Sequence, residues 1–275
     1  MWCCREGGNL SCFDFRVEMM IVALLAVGSV ISTTAAALPA LLQLRGGGGA
    51  SAPEQPKTGK VWTTSTFTRD HVRFMVELPH YLGAYLGPRA LPPSTIESIM
   101  ITVNSINTCP YCTGLHGQLA RMANVDAVDK SSPAVQFATT FAMEAGRGAK
   151  VVAAFKKLTA TIGNGQALSV RALCWALLWG KTTGNSINMV RAKLVSLKWW
   201  KLTPFELIEF VYYAPLFLII GILNAALVKA PPTPAWFGSL FGAILWLPQA
   251  LHLSVMGLLC LVLRVLAAPF GGLSL

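Results

Sequence analysis

The chain has 275 residues, of which 54% are hydrophobic and only 12% charged, and its formal net charge is +10. An ordinary soluble domain carries about 25% charged residues, so part of this chain is built to meet lipid or another apolar surface. The basic residues are scattered and no nucleic-acid motif accompanies them. Their one cluster, Arg191, Lys193, Lys198 and Lys201 around Trp199 and Trp200, suits either a solvated helix face or an anionic membrane surface.

Met19 to Leu44 is an uncharged, almost continuously apolar run that ends near the small residues Ala35, Ala36 and Ala37. It reads as a secretory signal or an uncleaved signal anchor. The expectation is a membrane-associated protein of the secretory pathway or an organelle, with residues 1–44 outside the folded domain. Residues 45–68 contain four consecutive glycines, then Pro53 and Pro56, and read as a flexible linker.

Helical signals dominate from 69 to 230. Arg69 to Leu86 is periodic through Val72, Met75, Val76 and Tyr81, and stops at Gly87-Pro88. After Pro92 and Pro93, the residues Ile96, Ile99, Met100, Val103 and Ile106 line one helical face. Pro110 belongs in the first turn of the next helix, with Cys109 at its cap. Further helices are predicted over Ser132–Thr161, Ala167–Trp179, Ser186–Trp200 and Thr203–Val228, with glycine breaks at 163–165 and 180–184. No alternating strand pairs occur, so the fold class is all-α. The tail, 231–275, contains a stretch from Ala235 to Leu263 without Lys, Arg, Asp or Glu. It is long enough to span a bilayer, although Pro248, Gln249 and His252 near its middle also allow two shorter helices.

The seven cysteines do not form a disulfide-scaffold pattern. Cys174 and Cys260 sit in apolar runs and read as packing residues. Cys109 and Cys112, in "NTCPYCTGLHG", are paired at a spacing with chemical meaning. A cysteine pair at a helix N-terminus meets free backbone N–H groups and the positive end of the helix dipole, which favour the thiolate. His116 follows Cys112 by one turn, and a carboxylate such as Glu97 on the preceding helix can orient it. Glu97 also has a structural reading, as partner of Ser94 in a capping box. His71, His80 and His252 have no matching partners and read as structural or exposed. "GKTTGN" at Gly180 lacks the first glycine and the preceding strand of a phosphate loop. A zinc site would need two more ligands beside the cysteines and His116.

The spacing of Glu97, Cys109, Cys112 and His116 resembles the active-site signature of the alkyl hydroperoxidase D-like proteins of the carboxymuconolactone decarboxylase-like superfamily. The resemblance is strongest over 69–125, weaker over "SSPAVQFATTFAMEAG" and over the helix that ends near Asn224. It implies an all-helical domain assembling as trimers or hexamers, and a thiol peroxidase or disulfide oxidoreductase acting on a hydroperoxide. Cys109 and Cys112 would be the redox pair and Glu97 and His116 the proton relay. No bound cofactor is implied, only an external dithiol reductant of the dihydrolipoamide or thioredoxin type. Decarboxylase members lack the cysteine pair, so decarboxylation is not expected. One departure is Tyr111, where the best-known member has a histidine between the cysteines; a phenol does not shuttle protons at neutral pH. The cap position favours Cys109 as the attacking thiolate, whereas the relay and the resemblance both favour Cys112. "CPYC" is also a glutaredoxin dithiol, but that fold requires a strand before the cysteines and alternating strands after them. A non-enzymatic membrane or assembly scaffold that retains the domain is the alternative from another class.

Overall fold

The computed structural model describes residues 60–107, 110–123, 125, 127–227, 231 and 234–267; for 110–114, 235, 238, 239, 245, 246 and 263–267 it describes the backbone alone. The expected signal or anchor segment, residues 1–44, lies outside the described residues. The described residues hold only helices: α1 (Thr64–Gly83), α2 (Pro93–Ile106), α3 (Pro110–Met122), α4 (Pro133–Met143), α5 (Ala149–Ile162), α6 (Asn164–Val195), α7 (Pro204–Leu227) and α8 (Ala235–Ala267), with one 3-10 turn at Trp199–Lys201.

The long α6 runs through the middle of the bundle, and α1, α2, α4, α5 and α7 all pack on it. The core that results is continuous, with Phe74, Phe141, Leu173, Val170 and Tyr213 fully excluded from water. α1 contributes Phe67, His71, Phe74, Leu78 and Tyr81, which recur at spacings of three and four and so share one face. Its carboxylates tie it to distant parts of the chain. Glu77 is buried yet paired with Arg171 of α6 at 3.0 Å and with Arg73 at 3.3 Å, and Asp70 pairs with Arg147 beyond α4.

Three expectations are corrected. Residues 60–68, expected in the linker, are folded. Thr63 and Thr66 cap α1 reciprocally, and the buried Trp62 donates its backbone N–H to Ser186 and its indole N–H to Thr183. The single helix expected over Ser132–Thr161 is two helices. The chain turns between them through positive φ at Ala145, Gly146 and Gly148, and a Cβ at Gly146 would lie 2.7 Å from the Phe141 ring. The break expected at 180–184 does not occur, because α6 continues through it. The hydroxyls of Thr182 and Thr183 bond the carbonyls of Leu178 and Trp179 one turn back, and packing overrides the weak glycine signals. The tail, whose sequence allows a bilayer-long stretch or two shorter helices on the core or in the interface, is one helix that packs on the core. α8 lies along α1, antiparallel to it, with Leu253, Met256 and Cys260 in the common core. At Gly242 a Cβ would meet the Tyr85 ring at 2.0 Å, so only glycine lets α8 lie this close.

Candidate functional site

α2 forms because Pro93 stands at its first turn and its apolar residues, Ile96, Ile99, Met100 and Val103, face the core. Glu97 lies among them and is carried inward, to 8% exposure. Ser94 makes no capping bond, so the capping-box reading of Glu97 does not describe this helix. α3 then folds back against α2 after a short connection. Cys109 lies outside the described residues. Cys112 belongs to α3, one turn before His116, and its side chain is likewise outside what is described.

Glu97 and His116 meet. His116 Nδ1 and Glu97 Oε2 are 3.2 Å apart, across nineteen positions of sequence. With the proton on Nδ1 donated to the carboxylate, Nε2 is the nitrogen left to exchange a proton with a reacting group. The contact is largely shielded, at 15% exposure for the His116 side chain and 10% for that of Glu97, which strengthens it over an exposed pair.

Both residues stand on the wall of a cavity of about 190 Å³. Its polar groups are the Tyr81 and Tyr85 hydroxyls, Glu97, His116 and Gln249; the rest of the lining is aliphatic, aromatic, proline or glycine, including Met100, Leu115, Phe217 and Phe241. Burial pushes the Tyr81 phenol up to about 12; a hydrogen bond with Tyr85 works against this and the Glu97 carboxylate adds to it. Tyr85 is raised well above its usual value, by burial first and then by the negative charge of its neighbours. Both phenols therefore stay protonated at neutral pH and serve as hydrogen-bond donors beside the relay.

Lys181 is a further residue that the sequence reading passed over with "GKTTGN". It is 1% exposed, and its ammonium donates to the carbonyl of Val103 at 2.8 Å and to that of Asn107. It thus caps the C-terminal end of α2, two residues before Cys109, and fixes where the chain leaves that helix. A lone lysine between apolar runs was the available signal. Tyr81 was legible only as one more apolar-face position, and Tyr85 carried no signal at all.

His71 is in a different setting. Nδ1 donates to the Phe67 carbonyl at 2.7 Å, and Nε2 lies 3.1 Å from the Trp179 indole N–H and 2.5 Å from the Tyr213 hydroxyl. Burial lowers its pKa to about 4, against the opposing pull of the Phe67 carbonyl. Cys174 and Cys260 are free and buried, and burial pushes both thiols up, away from reactivity. Among the described residues no group of three or more His, Cys, Asp or Glu side chains gathers as a metal site would require.

The glutaredoxin alternative fails on the fold. The residues before the cysteines form α2, where that reading needs a strand, and the described residues contain no strand. Residues 70–160 match the model of the carboxymuconolactone decarboxylase family, and this third of the chain includes Glu97, Cys109, Cys112 and His116. No curated protein and no solved structure matches the chain.

Proposed function

We propose that the chain is a thiol-dependent hydroperoxidase, or a closely related disulfide oxidoreductase, with Cys109 and Cys112 as its redox pair and Glu97 and His116 as its proton relay. The observation that carries this reading is the 3.2 Å contact between His116 and Glu97, made one helical turn from Cys112 on the wall of a cavity. The family match over 70–160 supports it. In the proposed cycle the Cys112 thiolate attacks the distal oxygen of a hydroperoxide. The O–O bond breaks, His116 gives the departing alkoxide its proton, and Cys112 is left as the sulfenic acid. The Cys109 thiol then attacks that sulfur, the hydroxyl leaves as water, and a disulfide forms. The dithiol supplies the two electrons, and an external dithiol reductant of the dihydrolipoamide or thioredoxin type restores it. Assembly as trimers or hexamers and a place on a secretory or organellar membrane belong to the same proposal.

The test is peroxide consumption by the purified full chain, run separately with dihydrolipoamide and with reduced thioredoxin. Turnover with one of them, lost in Cys112→Ser, is the expected result. A protein whose free thiol count does not change on peroxide treatment is a scaffold and not an enzyme.

A further inference from the structure

The cavity at the relay is small for a complete ligand site, which for small molecules is on the order of 300–1,000 Å³. It is also open to one side. Ile219 and Pro248 both line it and are exposed, so its mouth lies between α7 and α8. Among the described residues these are the two helices with apolar stretches long enough to cross a membrane, Pro204–Leu227 and Leu240–Val262. Neither is turned fully inward. α8 buries one face on α1 and exposes Leu240, Ile244, Leu247, Leu251, Val255 and Leu258 on the other, at repeating spacings of three and four. α7 likewise exposes Ile208, Val211, Ile219 and Ile222. Stripes of this size on both sides of a cavity mouth are far more than scattered surface apolar residues. At the head of α7, Trp199 and Trp200 are 57% and 64% exposed beside Lys198 and Lys201. Lys193, near the end of α6, pairs with Glu206 in the first turn of α7 at 2.7 Å and donates to the Lys201 carbonyl at 3.2 Å, which holds this segment between the two helices. Exposed tryptophans with lysines at the end of an apolar helix match the headgroup region of an anionic bilayer.

We infer that the substrate is a hydroperoxide on a long acyl chain, drawn from a bilayer against which the outer faces of α7 and α8 rest. The oxidised segment of the chain enters between Ile219 and Pro248 and meets the relay, while the rest of the chain stays in the apolar layer outside. This accounts for a lining that is largely apolar, with Glu97 and His116 among its few polar side chains. The inference rests on the dithiol reading and names its substrate. The balance is that of the proposed cycle: the acyl hydroperoxide becomes the acyl alcohol, the dithiol becomes the disulfide, and one water leaves.

The wild-type full chain is assayed with hydrogen peroxide, tert-butyl hydroperoxide and linoleic acid hydroperoxide. It is then assayed with phosphatidylcholine–phosphatidylserine vesicles bearing hydroperoxidised linoleoyl chains. A kcat/KM at least tenfold higher for the linoleic acid hydroperoxide than for the tert-butyl compound, with the vesicle-bound chains also reduced, is the expected result. Equal or reversed preference overturns the substrate class. Reduction of the free acid but not of the vesicle-bound chains overturns delivery from the bilayer. Wild-type turnover of no peroxide at all defeats the dithiol reading itself, which separates the two failures. In Ile219→Asp, a charge at the mouth is expected to lower the ratio of linoleic to tert-butyl kcat/KM by at least tenfold; an unchanged ratio places the entrance elsewhere.

Discussion

Two histidines divide the molecule. His71, on α1, is fully excluded from water and has every ring nitrogen committed to α1, α6 and α7. His116, on α3, has a single carboxylate partner and borders a cavity. The first is held neutral by burial, against the pull of the Phe67 carbonyl that fixes its tautomer. The second has a carboxylate at 3.2 Å and lines a cavity. Burial with several partners makes a histidine a joint between helices; one carboxylate and a cavity are the setting in which the proposed cycle uses the other as a proton carrier.

The comparison breaks most sharply on substitution. His116→Gln is expected to slow peroxide-driven oxidation of the dithiol by roughly 100- to 10,000-fold, the usual contribution of a general acid, with Tm nearly unchanged. His71→Ala is expected to do the reverse. It empties a ring-sized space, strips the Trp179 N–H of its acceptor, and lowers stability by about 3–5 kcal/mol in urea unfolding, while rate per folded molecule is retained.

A smaller effect is expected from pH. The His71 pKa falls from 6.5 in the unfolded chain to about 4 in the fold. Between those values the unfolded chain binds a proton that the folded one refuses, so stability is full above 6.5 and is lost as pH falls toward 4. The loss is on the order of 3 kcal/mol, and a His71→Gln variant is expected to lack this part of the slope. Glu209 works in the other direction. Its shift is wider, but an amide in its place meets the same buried setting, short of hydrogen-bond partners, so the net gain on substitution is smaller. It is 2% exposed; burial raises it to about 8, the nearby Glu206 charge adds to this, and Ser186 relieves it only in part. Its contribution is present below pH 4.5 and lost as pH rises through 8, so Glu209→Gln is expected to stabilise the protein at pH 8 by about 1–3 kcal/mol relative to wild type.

What was legible in the sequence was local. The positions of Glu97 and His116 around a short connection encode two helices folded back on each other, and the structure brings those two residues into contact. The helical character of the region was equally plain from periodicity. What stayed hidden depends on residues far apart in the chain. The start of α1 is held by Trp62 reaching residues 183 and 186, and α6 runs through its glycines because Lys181 and the threonines beside it find partners. Part of the cavity wall comes from α7 and α8, outside the family match, and no pattern within 97–116 announces them.

In the proposed cycle Glu97 and His116 serve Cys112. The measurement is to treat Cys109→Ser and Cys112→Ser, each as the full chain, with one equivalent of peroxide in the presence of a sulfenic-acid trap, and to locate the adduct by peptide mass spectrometry. The expected result is an adduct on Cys112 in Cys109→Ser, slowed at least 100-fold when His116→Gln is added, and none in Cys112→Ser. An adduct on Cys109 in Cys112→Ser, with none on Cys112 in the other variant, would contradict the claim and leave Glu97 and His116 as structural residues.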